Sequence, residues 1–359
     1  MRTKRAWVVL LVGLTALFGR QLMTRRFGLS ALTTGNLPEV PKTRSFRFTY
    51  EATVKNLSPS NAVVRVWLPL ASSDSNQSVA IIKLSSPVPT LTTQDEEYGN
   101  PMIYAELRHP SSAPANFSVD YKVTRREFSR GGSSGLMRFN EEPMRQTHSV
   151  GRFLSADRLV PIDGRMKALA EQNTQGKQGP VEKAYALYDY VFHTLRYDKS
   201  GTGWGRGDSL WACDSKRGNC TDFHSLFISL MRAEGIPARF KIGFPLPPDS
   251  SAKQSEIAGY HCWAEFYLNG LGWVPVDISE AWKNPSKHDY FFGSIDANRV
   301  HFTTGRDLTL VPKQDGPPLN YFIYPYVEVD GQPYEAVDRR FTFLPEAGES
   351  RVRTASEMR

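Results

Sequence analysis

Cys220, His261 and Asp277 are the residue types that together can build a nucleophilic site. A thiolate attacks a carbonyl. An imidazole takes and returns the proton. A carboxylate fixes the tautomer and orientation of the ring. The three lie in separate segments, so the chemistry depends on the elements that carry them.

Cys220 sits in Gly218-Asn-Cys-Thr-Asp-Phe-His, followed by an apolar pattern at Phe223, Leu226, Phe227 and Leu230. That three-and-four spacing predicts an amphipathic helix, and Gly235-Ile236-Pro237 predicts its end. Cys220 then falls at the helix start, where unpaired backbone N–H groups and about half a positive charge favour an anion. A free cysteine is only about 3% thiolate at pH 7, and sites of this kind raise that share. The plainer reading is a small buried residue at the head of a core helix.

His261 and Asp277 belong to two extended runs joined by Asn269-Gly270-Leu271-Gly272, which predicts a β-hairpin. An even sequence separation needs a loop with an odd number of residues if both side chains are to share a face, and Leu268–Gly270 would serve. An even loop would turn them to opposite faces.

These segments carry a resemblance. Gly218-Asn-Cys220-Thr-Asp-Phe, Gly235-Ile-Pro-Ala-Arg239, Tyr260-His261-Cys-Trp263-Ala-Glu265 and Gly272-Trp273-Val-Pro-Val-Asp277 resemble the transglutaminase-like superfamily. The resemblance implies an α+β, papain-like core and a nucleophile at Cys220. It also implies a base at His261, an orienting carboxylate at Asp277, no cofactor, and action on amide acyl groups of proteins or peptides. It is strongest over residues 180–280. A tryptophan upstream of the nucleophile steadies the oxyanion in animal members. Trp204 and Trp211 precede Cys220 here without a clear match, and the Cys220 backbone N–H is the firmer donor.

Nearby residues have plainer readings. His224, one turn past Cys220, either borders the site or, in the plainer reading, is a packed or exposed histidine. Cys262 follows His261 and so points to the other face of its strand, into a core. Trp263 and Trp273 read as shielding, and Glu265 as structural. Three cysteines are not a disulfide scaffold, and a Cys213–Cys262 pair would leave Cys220 free. A zinc site from Cys213, Cys220, His224, His261 and Cys262 is a rival, but the gap between the first two is too long for a zinc knuckle. An inactive binding module is a second rival.

The rest of the chain positions this region. Its 359 residues allow two domains. The net charge of +7 does not mark a nucleic-acid protein. Arg2, Lys4, Arg5, Arg20, Arg25 and Arg26 precede every acidic residue, and the remainder carries +7 − 6 = +1. After the first charges, Ala6–Phe18 is apolar, as in a signal peptide or a single N-terminal membrane anchor, and predicts export; the pattern of β-domain, anchor and core points by analogy to a bacterial envelope protein. Residues 1–35 read as this leader with its linker. Residues 36–130 read as a β-sandwich, from alternation at 46–54, 64–68, 103–107 and 117–123. Residues 131–345 read as the transglutaminase-like core with its C-terminal strands, and 346–359 as a disordered tail. The run Gly201–Gly207 lacks the preceding strand and following lysine of a phosphate cradle. Pro245–Ser255 reads as an exposed loop beside the site.

Overall fold

The computed structural model describes residues 41–140, 148–248 and 254–346. The leader and the tail beyond Glu346 lie outside them.

Alternation builds the first sheet. In Thr43–Val54 the residues Phe46, Phe48, Tyr50, Ala52 and Val54 are buried while their neighbours face outward. That strand pairs antiparallel with Ala115–Arg126 on one side and with Val337–Pro345 on the other. Gln77–Ser85 and Ser255–Glu256 complete five strands. A second five-stranded sheet runs Gln332–Pro333, Tyr326–Val329, Val63–Pro69, Pro101–Arg108, Thr90–Gln94.

Two differences from the sequence reading have physical causes. The strands Gln77–Ser85 and Thr90–Gln94 are sheet edges with mostly exposed side chains, Ile81, Ile82 and Leu91 among them. A bulge between Ile81 and Lys83 breaks the alternation that would have marked the first. The C-terminal strands, expected with the core, hydrogen-bond into the two N-terminal sheets instead. Phe341 and Phe343 anchor the last strand. Glu346, expected in the tail, donates its backbone N–H to Ser45.

The core sheet has four antiparallel strands in the order Gly272–Val276, His261–Leu268, Ala238–Pro245, Arg299–Thr304. It packs against the first sheet through aromatic rings. Phe48 and Tyr50 meet Phe244 and Phe302, and Phe244 lies 4.3 Å from Phe341 between ring centroids. Such contacts add about 0.5–1.5 kcal/mol per pair beyond the area they bury.

The helices Gly164–Thr174, Pro180–Thr194 and Ile278–Lys283 surround the helix Cys220–Ala233, which also packs on the His261 strand. The Cys220 helix is therefore buried on every face from Cys220 to Arg232. Its polar residues survive burial because each has a partner. Ser225 receives the Arg306 guanidinium, Ser229 bonds the Pro161 carbonyl, and Arg232 holds Asp157 at 2.7 Å.

Candidate active site

Cys220 is the first residue of its helix. Asn219 caps that helix, accepting from the Thr221 N–H at 2.9 Å, while Asp222 reaches back to the Asn219 N–H at 2.9 Å. The Asp222 carboxylate also accepts from the N–H groups of Gly205 at 2.7 Å and Gly207 at 3.0 Å. The glycine-rich run is thus a wall wrapped onto the head of the Cys220 helix. Gly207 needs its hydrogen side chain: φ is +63°, and a Cβ would come within 2.5 Å of Ser225 Oγ. Arg306 closes the wall by donating to the Gly207 and Arg206 carbonyls at 2.7 and 2.9 Å.

The hairpin pairs Leu268 with Gly272, so its loop is Asn269–Leu271, one residue later than expected. The odd loop keeps His261 and Asp277 on one face but offsets them diagonally by two positions. They still meet: His261 Nε2 lies 2.8 Å from Asp277 Oδ2. Asp277 ends its strand and caps the next helix, with Oδ1 accepting from the Glu280 N–H and the Ser279 hydroxyl, each at 3.1 Å. Arg299 donates to Asp277 Oδ2 at 2.7 Å and also holds Asp296. With Nε2 engaged, the other ring nitrogen, Nδ1, is left for the Cys220 sulfur, to which the His261 ring is a hydrogen-bond partner. The three residues expected from the sequence are brought together, and all are buried, Cys220 at 2%, His261 at 5% and Asp277 at 0% exposure.

The charges follow from this geometry. A hydrogen bond from the Cys262 thiol is the largest influence on Cys220. Together with the bond and charge of His261 it overcomes burial and holds the Cys220 thiol well below its ordinary range. Burial disfavours charge on His261, but Asp277 and the Cys220 contact outweigh it and raise the ring to about 10. Burial likewise opposes charge on Asp277, yet His261 and Arg299 hold it ionised well below the usual carboxylate range. The arrangement favours charge on all three groups, an anionic sulfur, a protonated ring and an ionised carboxylate.

Four residues near the sulfur exceed or contradict the sequence reading. Cys262 faces away from His261 and is buried in the core as expected; that face of the strand packs on the Cys220 helix, so its thiol also reaches the site. No Cys213–Cys262 bond exists; all three cysteines are free thiols. His224 is fully buried, as the packed reading has it, and it borders the site, with Nδ1 3.8 Å from the Cys262 sulfur. Its Nε2 accepts from the Ile278 N–H at 3.1 Å, and burial lowers it to about 4, so it stays neutral. Tyr197 lies beside Gly218 across a short parallel pairing, near enough to feel the Cys220 charge. Burial raises its phenol, which therefore stays a donor. Tyr260 bonds Thr221 Oγ1 at 2.9 Å and Asn219 Nδ2 at 3.1 Å, tying the His261 strand to the helix cap.

Trp263 and Glu265 are structural, the first under the Arg299 guanidinium and the second paired with Arg239 at 2.7 Å. Trp273 is half-buried beneath Arg239. Trp204 gives its indole N–H to the Gly201 carbonyl, and Trp211 packs on Arg217 and Gly203. Among the described residues no group of three or more His, Cys, Asp or Glu side chains is arranged to hold a metal ion.

The profile of the transglutaminase-like superfamily matches residues 167–278, a span that contains Cys220, His261 and Asp277. The chain carries a transglutaminase-like core. A protein of undescribed role from Haemophilus influenzae is 28% identical over 325 residues, covering 82% of this chain and 87% of its own length. A Pseudomonas aeruginosa protein named protein-glutamine gamma-glutamyltransferase is 26% identical over 206 residues, 51% of this chain but 30% of that one. A crystal structure of a candidate cysteine protease from Cytophaga hutchinsonii superposes with a TM-score of 0.57 at 14% identity. It covers 85% of this chain and 98% of the other. At that identity the likeness is one of fold, and it extends through the N-terminal sheets as well as the transglutaminase-like core.

Proposed function

We propose that the chain is a cysteine-dependent acyl-transfer enzyme that cleaves amide bonds of proteins or peptides through a thioester on Cys220. The observation that carries this reading is the His261–Asp277 hydrogen bond of 2.8 Å beside a thiol at a helix head.

In this mechanism the Cys220 thiolate attacks the amide carbonyl. The oxyanion is met by the Cys220 backbone N–H, which has no acceptor within the helix, and by the Tyr197 phenol. His261 Nδ1 gives its proton to the departing amine, leaving the thioester. The same nitrogen then takes a proton from water, and the hydroxide releases the acid. Asp277 holds the ring through Nε2 throughout. Hydrolysis is preferred to crosslinking because no second site for an amine is evident in the sequence. Amine transfer is the alternative, favoured by the name of the Pseudomonas aeruginosa relative. The basic, apolar leader supports export and a place in the bacterial envelope.

The test incubates the protein with envelope peptides, with and without a labelled primary amine, and reads products by mass spectrometry. The account predicts free acids without the amine, little incorporation with it, and no product from Cys220→Ala. Turnover that survives in Cys220→Ala would end the reading.

A further inference from the structure

Cys262 forms and breaks no bond in the mechanism above beyond its hydrogen bond to Cys220, yet its sulfur lies against the first turn of the nucleophile helix, 3.9 Å from Thr221 Oγ1 and 3.8 Å from His224 Nδ1. It is itself a hydrogen-bond partner of the Cys220 sulfur. Both are free, and Cys262 is fully buried. We propose that Cys220 and Cys262 form a peroxidatic and resolving pair, closing to a disulfide when a hydroperoxide reaches the site and so shutting the enzyme reversibly. The inference rests on the reading of Cys220 as a reactive thiolate.

The two thiols differ in the way such a pair requires. Cys220 is held as the anion, which attacks peroxide, while burial keeps Cys262 protonated until it is used. The Cys220 thiolate attacks one peroxide oxygen, the O–O bond breaks, and the departing alkoxide or hydroxide takes up a proton as alcohol or water. Cys220 is now a sulfenic acid. The Cys262 sulfur attacks it, the S–O bond breaks, and the hydroxyl leaves as water with the Cys262 proton. Two thiols have lost two electrons to the peroxide. Without a neighbouring thiol, sulfenic acid is open to further oxidation that thiol reductants do not reverse.

The test uses the full chain, reduced, freed of reductant and treated with hydrogen peroxide. Iodoacetamide labelling of Cys220 should be almost wholly lost, the intact mass should fall by two hydrogens, and the Cys220 and Cys262 peptides should be found joined. Dithiothreitol should restore labelling. In Cys262→Ala and Cys262→Ser the same dose should leave Cys220 carrying added oxygen, with labelling not restored. If no joined peptide forms, if the partner is Cys213, or if variants and parent recover alike, the inference is overturned. Labelling before peroxide is read separately. A protein that never labels at Cys220 defeats the nucleophile reading, whereas one that labels normally but forms no bond defeats only the pair.

Discussion

Arg299 carries a heavy share of the site, and it acts through Asp277 and Asp296 rather than on Cys220 or His261 directly. It neutralises the fully buried Asp277 and the partly exposed Asp296. Arg299→Met leaves two carboxylates without their partner and should cost about 3–5 kcal/mol of stability, read by urea unfolding. Arg299→Lys should recover part of this but not the two-sided hold. The pH behaviour follows from the same charges. Cys220 is lowered and His261 raised to about 10, so the ion pair spans the range between them. Turnover of amide substrates should fall at the acid end as Cys220 protonates. It should fall again near pH 10 as His261 loses the proton it must give to the amine. A profile without the alkaline fall would show that His261 is not the acid.

At the scale of elements, the helix head and the hairpin behave differently under substitution. Asn219→Ala removes a cap and should cost about 1 kcal/mol. Gly207→Ala forces a Cβ to within 2.7 Å of Arg306 Nη1 at a positive φ, and should lower the melting temperature far more. Gly270→Ala in the hairpin turn also has a positive φ of +74° but meets nothing within 4 Å, so its cost should stay near about 1 kcal/mol. Equal melting shifts for the two glycine variants would contradict the wall built on Asp222. The same contrast explains what the sequence discloses. The Cys220 helix was legible because its apolar spacing and its Gly-Ile-Pro stop are local signals. The odd hairpin loop was legible as parity, but its centre was not, because Asn269–Leu271 and Leu268–Gly270 satisfy parity equally. Arg299 and Tyr197 left no local signal: their roles come from which strands become neighbours, and that is fixed by long-range packing. Cys262 is in the core on the face that alternation gives it, but its approach to Cys220 left no signal, because alternation tells which face a residue takes, not what packs on that face.

Across the described residues, the last strand returns to the first. The strand Val337–Pro345 lies between Thr43–Val54 and Ser255–Glu256, and its Phe341 packs on Phe244 of the core sheet. The sheets and the transglutaminase-like core share one contiguous hydrophobic cluster. Truncation before Val337 should therefore destabilise the candidate site, far along the chain, together with the N-terminal sheets. Calorimetry should show one unfolding transition in the parent protein. Two well-separated transitions, with thiol reactivity following only the later one, would contradict this coupling. The charged apolar leader predicts a further whole-chain result: cell fractionation should find the protein in the envelope and not with nucleic acid.

The central claim is that His261, steadied by Asp277, acts with the Cys262 hydrogen bond to keep Cys220 as a thiolate. The most direct measurement is the rate of Cys220 alkylation by iodoacetamide at pH 6, where an ordinary cysteine is only about 0.3% ionised. The account predicts fast alkylation in the parent, a loss of tenfold or more, about 1.4 kcal/mol or greater, in His261→Ala, and a smaller loss in Asp277→Asn. A Cys220 that reacts no faster than a free thiol, or one whose rate is unchanged in His261→Ala, would contradict it.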